Sequence, residues 1–181
     1  MTTATHIAFL RGINVGGRHR LPMAELRSAF ERAGAANART WLQSGNAIFD
    51  LPRARVERCV RAVADWIEEA HGFTAPVVVR DARELAAAVA ACPFEDDDPS
   101  GRSVLIGFCL DAPIAARVAA LDPERSPPDR FEVIGREVHL SCPDGVARSR
   151  CTNAWFDRRL GTTSTFRNLA TLRKVLDLAG S

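Results

Sequence analysis

Between Thr5 and Arg80 the spacing of apolar residues switches back and forth between strand and helix periods, in an order that few folds accommodate. The stretch from Thr5 opens as a strand, because Ile7 and Phe9 share a face and aromatic and β-branched residues favour the pleat. Leu21-Pro22 then starts a helix with proline in its first turn, and Met23, Leu26, Phe30 and Ala33 repeat at helical spacing up to Gly34. Arg39 to Leu42 and Ala47 to Phe49 form two short strands across the turn Gln43-Ser44-Gly45-Asn46. Val56, Cys59, Val60, Val63, Ile67 and Ala70 make a long amphipathic helix ended by Gly72, and Pro76 to Arg80 is a fourth strand. The resulting order, β-α-β-β-α-β, is that of a ferredoxin-like unit.

The order then begins again. Asp81 and Glu84 fit a capping box for a helix to about Cys92, and the acidic stretch Glu95 to Asp98 reads as the start of a solvated linker. Val104 to Leu110 is a strand, Asp111 is placed to cap a helix carrying Ile114, Val118 and Leu121, and Phe131 to Ile134 pairs with Glu137 to Ser141 across Gly135. Thr152 to Leu160 is a helix stopped by Gly161, with Trp155 and Phe156 expected in the core; Ser164 to Phe166 is a short strand, and Asn168 caps a final helix. The expected fold is therefore α+β: duplicated ferredoxin-like (β-α-β-β-α-β) units with an extra C-terminal helix. Residues 1–81 form the first unit, 82–101 a linking helix and loop, and 102–181 the second unit with that helix.

Net charge is only +2, but it is uneven: residues 1–20 carry +3, residues 143–181 carry +4, and the segment between them carries −5. Cys59, Cys92, Cys109, Cys142 and Cys151 are odd in number and widely spaced, which argues against a disulfide framework and a zinc site. The N-terminal stretch MTTATHIAF lacks a secretory pattern, and no apolar run reaches the length of a membrane span. A reducing cytoplasm is the expected location, with no cofactor, no metal and no membrane partner.

In a ferredoxin-like sheet the loop after the first strand and the turn between the second and third strands end at the same edge. Here those segments are Arg11 to Arg20, with Gly12, Gly16 and Gly17 around Asn14, and Gln43 to Asn46. Glycines let backbone N–H groups converge, and arginines add charge, which is what an anion site needs. The spacing Gly12-x-x-x-Gly16-Gly17-Arg18 matches neither a P-loop nor a dinucleotide fingerprint, so tight turning alone also accounts for the glycines. The corresponding places in the second half, Asp111-Ala112 and Gly135-Arg136, are short and plain.

The strings FLRGINVGG, LPMAELR and WLQSGN, with SRCTNAWFDRRLG followed by TFRN near the C-terminus, resemble the motifs of a bacterial domain-of-unknown-function family, family 1697. The resemblance implies a duplicated ferredoxin-like architecture and no assigned activity, so it supplies no catalytic residues.

The residues point to a binding protein for an anionic ligand: a phosphate-bearing small molecule or a nucleotide, with nucleic acid a weaker candidate. Arg11, Asn14, Gly16, Gly17, Arg18, Gln43, Ser44 and Asn46 form the first part of the expected site. Arg150, Asn153, Arg167 and Asn168 form a second part, if the C-terminal segment returns to that edge. An enzyme acting on an anionic small molecule ranks below this, since no nucleophile has a base beside it, and His19 is the one histidine in the region. A protein-interaction scaffold with a purely structural glycine loop is the third reading.

Overall fold

The computed structural model describes residues 3–180. Met1, Thr2 and Ser181, at the outer ends of the two expected units, lie outside the described residues. Residues 3–85 with 175–180 form one compact unit, and residues 86–174 form the other.

The first unit runs β1 (Thr3–Leu10), α1 (Met23–Arg32), β2 (Ala36–Trp41), β3 (Asn46–Pro52), α2 (Arg53–His71) and β4 (Val77–Asp81). The second runs β5 (Val104–Cys109), α4 (Ala115–Ala119), β6 (Arg130–Ile134), β7 (Glu137–Ser141), α5 (Asn153–Leu160) and β8 (Ser164–Asn168). Each last strand leads straight into a further helix, α3 (Ala82–Ala90) after β4 and α6 (Leu169–Ala179) after β8. The two sheets have the same antiparallel strand order, β2-β3-β1-β4 and β6-β7-β5-β8, so the duplicated ferredoxin-like architecture is present.

Period-two alternation divides each central strand between two buried faces. In the first unit Ala8, Leu10, Phe49 and Leu51 meet Leu26 and Phe30 of α1 and Val63 and Ile67 of α2. On the opposite face Ile7, Phe9, Ile48 and Val78 are also buried, together with Arg80. In the second unit Leu105, Val138 and Leu140 pack with Trp155 and Phe156 of α5, the expected core aromatics, while Ile106, Phe108 and His139 are buried on the other face.

Local chemistry sets the helix ends. The capping box is formed: Glu84 N–H donates to Asp81 Oδ1 at 2.8 Å, and Asp81 N–H donates to Glu84 Oε2 at 2.9 Å. Asn168 Oδ1 accepts from Thr171 N–H at 2.9 Å at the start of α6. Asp111, by contrast, caps nothing: its amide donates to Thr162 Oγ1 at 3.0 Å, and α4 begins only at Ala115, after the extended Ile114. Pro113 explains the delay, because the residue before a proline is pushed out of the helical region.

The acidic stretch is largely solvent-exposed, as expected, but its carboxylates are tied to the rest of the unit. Glu95 pairs with Arg173 at 2.7 Å, and Asp97 accepts from Ser141 Oγ at 2.6 Å and from Arg130. Asp98 accepts from the amides of Ser100, Arg102 and Ser103 and from two serine hydroxyls, and those bonds hold its carboxyl well below the usual carboxylate range. Among the described residues no helix is long and apolar enough to cross a membrane.

Candidate functional site

The strand order brings the first loop and the first hairpin turn together. Leu10 N–H donates to the Gly45 carbonyl at 2.8 Å, and Arg11 N–H donates to the Pro76 carbonyl at 2.9 Å. Arg11 thus leaves β1 between the β2–β3 turn on one side and the entry to β4 on the other. The approach is close enough to require glycine at 45: a Cβ there would lie 2.6 Å from Ile13 Cδ1 and 2.9 Å from Leu10 Cβ, and the residue has φ +78°.

Within the loop the chain doubles back on itself. Asn14 N–H donates to His19 O and Arg18 N–H to Val15 O, each at 3.0 Å, around Gly16 (φ +57°) and Gly17 (φ +74°). Two successive positive φ values are the mark of a tight turn of the type I′ kind. Asn14 then clasps the loop: its Oδ1 accepts from Leu21 N–H at 2.9 Å, and its Nδ2 donates to Leu21 O at 3.0 Å and Gln43 O at 2.8 Å. The carboxamide therefore acts as a peptide group inserted between loop and turn.

His19 Nδ1 lies 2.9 Å from Gly12 O, and since a carbonyl only accepts, that nitrogen carries the hydrogen and donates. The ring stacks on Phe73, with centroids 4.6 Å apart and planes inclined by 18°. Asn14, His19 and Leu42 all hold positive φ, 55°, 51° and 60°. Such backbone costs on the order of 1 kcal/mol per residue, and at Asn14 and His19 the surrounding hydrogen bonds offset it.

Asn14, Gly17, Arg18, Arg20, Leu21, Pro22 and Gln43 line an open concavity of about 380 Å³. Among the described residues the guanidinium groups of Arg18 and Arg20 and the carboxamide of Gln43 have no hydrogen-bond or ion-pair partner. The nearby acid Glu25 is directed elsewhere, 3.3 Å from His71 Nε2. Ser44 is exposed on the turn, whereas Asn46 is fully buried, its Nδ2 donating to Trp41 O at 2.7 Å and Ser44 Oγ at 3.2 Å. No group of three or more His, Cys, Asp or Glu residues is arranged to hold a metal ion among the described residues.

Arg150, Asn153, Arg167 and Asn168 belong to the second unit; the last three are engaged there through their side chains, Arg150 through its main-chain amide. Arg150 N–H donates to Ser126 Oγ at 3.0 Å, and Asn153 Nδ2 donates to Ser164 O at 3.4 Å. Arg167 is buried and donates from Nη1 to Thr165 Oγ1 and Phe166 O, both at 2.9 Å; burial lowers its pKa to about 10, which leaves it charged at neutral pH. Asn168 is the cap of α6. The second unit repeats the frame of the first edge, with Cys109 N–H donating to Arg136 O and Leu110 N–H to Thr163 O, but Leu110 stands in the place of Arg11.

Sequence reasoning left Arg20 and Pro22 out of the site and did not foresee the stacking of His19 on Phe73. Arg20 had a signal in the acid-free run from Arg11. The ring contact joins residues 54 positions apart and had none.

The sequence pattern of a family described as "Protein of unknown function (DUF1697)" matches residues 3–139. The chain belongs to this family. Among solved structures, this DUF1697 chain resembles one described as the conserved bacterial protein SP0830 from Streptococcus pneumoniae, with a TM-score of 0.73 at 18% identity. The likeness covers 98% of this chain and 99% of that one, and it concerns the fold. Comparison of this DUF1697 chain with curated proteins finds no match.

Proposed function

We propose that the chain is a binding protein whose first loop edge takes an anionic ligand. The observation that carries this reading is the meeting of three uncommitted polar groups, those of Arg18, Arg20 and Gln43, around one concavity whose walls are already fixed by the Asn14 clasp. Arg11 adds charge at the same edge, and Gly16 and Gly17 leave backbone open to close approach. Preorganised walls lower the ordering cost of binding, and unpaired guanidinium groups favour phosphate or carboxylate.

A nucleic-acid platform on the sheet itself is disfavoured. Single-stranded nucleic acid stacks on exposed aromatics of ferredoxin-like sheets, but here Phe9 and Phe108 are fully buried on that face. The enzyme reading has one observation behind it: with Nδ1–H committed to Gly12 O, Nε2 is the His19 ring atom left to meet a ligand. The open site and the absence of His19 from its lining keep this reading second.

Thermal denaturation with pyrophosphate or nucleoside phosphates tests the proposal. An anion at a hundredfold excess over its Kd raises the melting temperature by about 5 to 10 °C. The doubly substituted Arg18→Ala, Arg20→Ala protein loses that rise. No shift with any phosphate or carboxylate anion would overturn the reading.

A further inference from the structure

We propose that the ligand is a nucleoside phosphate whose phosphate is held by Arg18 and Arg20 and whose base is met by Gln43 and Pro22. This deepens the binding reading above and rests on it. A bare phosphate would leave most of the concavity unused, since about 380 Å³ lies within the range of small-molecule sites, roughly 300 to 1,000 Å³. The lining is also two-sided in its chemistry. Arg18 and Arg20 supply positive charge, whereas the exposed Pro22 ring and the bare backbone at Gly17 offer a surface for a flat, weakly polar body.

At Gly17 nothing lies within 4 Å of where a Cβ would stand, so a planar group can lie directly on the chain. Gln43 supplies what a sugar phosphate would not need. Its main-chain carbonyl is fixed by Asn14, which holds the residue in place, and its side-chain amide remains without a hydrogen-bond partner among the described residues. A carboxamide carries a donor and an acceptor side by side, the pattern that matches the edge of a nucleobase.

Isothermal titration calorimetry on the intact chain decides it, with four nucleoside monophosphates, ribose 5-phosphate, pyrophosphate and a single-stranded oligonucleotide as probes. At least one monophosphate is expected to bind tenfold or more tightly than ribose 5-phosphate or pyrophosphate. Gln43→Ala should remove most of that preference, weakening the preferred monophosphate about tenfold and pyrophosphate far less, and Arg18→Ala should weaken every anion. Circular dichroism confirms that these exposed-site variants remain folded. Equal affinity for ribose 5-phosphate and all four nucleotides overturns the nucleotide assignment and leaves the anion site standing. Binding of the oligonucleotide alone, with steep salt dependence, overturns it in favour of a polymer ligand. No binding by any probe overturns both readings.

Discussion

Arg80 and Arg167 hold the same place in the two sheets: each lies opposite an isoleucine of the central strand, Ile7 and Ile106, and each donates from Nη1 to the carbonyl of the residue before it at 2.9 Å. Both are buried, and each is the next-to-last residue of a strand whose final residue, Asp81 or Asn168, caps the helix that follows. Two long charged side chains have thus been placed where the burial of apolar surface would by itself favour valine or leucine.

The arginine pair is expected to matter for stability. Arg80→Ala should lower unfolding free energy by about 2 to 4 kcal/mol, because it leaves a cavity and strips carbonyls of a buried donor. Arg167→Ala should behave alike and leave anion affinity unchanged, in contrast to Arg18→Ala. Urea titration reads the first effect and calorimetry the second. A wild-type midpoint for both variants would show that these side chains are not structural.

The Asn14 clasp predicts a separation of backbone from side-chain effects. Asn14→Gly keeps the left-handed conformation but removes three hydrogen bonds, and should cost about 1 to 2 kcal/mol. Its larger consequence is looser closure: the Leu21 amide should exchange with solvent faster than in the parent protein, and ligand affinity should drop. Unchanged exchange at Leu21 would mean that the loop is held by other contacts.

His139 gives the protein a predictable response to acid. The ring is buried with neither nitrogen hydrogen-bonded among the described residues, and burial lowers its pKa despite the opposing influence of Glu137 and Glu132. The unfolded chain therefore takes up the proton first, so stability declines as pH falls below the ordinary histidine value, about 6.5. His139→Leu should flatten the loss between pH 7 and pH 5 and add about 1 kcal/mol at neutral pH. Denaturation midpoints at both pH values check this; an identical pH slope in the variant would contradict it.

Element order was legible in the sequence because the chain uses strong local signals: the apolar stripe of α2, the Asp81–Glu84 box, and glycine at positions 72 and 161. From that order alone it followed that Arg11 and the Ser44 turn share an edge. One local reading failed and another was incomplete. Asp111 looks like a helix cap, but Pro113 holds the chain extended. The Glu95–Asp98 run is largely exposed as read, but its partners Arg130, Ser141 and Arg173, 33 to 78 residues away in sequence, were not foreseen. The site was half legible for the same reason. Strand topology places the loop beside the turn, but the three-way bonding of Asn14 and the seat of His19 on Phe73 depend on side-chain geometry that no spacing rule encodes.

The fit of the β2–β3 turn against Ile13 and Leu10 has a consequence for how the family can diversify. With no room for a methyl group at position 45, any larger residue there would push the turn off the strand end next to Arg11. Neighbouring positions such as 18, 20 and 43 face solvent, so a change of side chain there leaves the turn undisturbed. Relatives would then share one rigid rim and differ in the few groups it presents, so selectivity could be transplanted between them by swapping those groups without rebuilding the sheet.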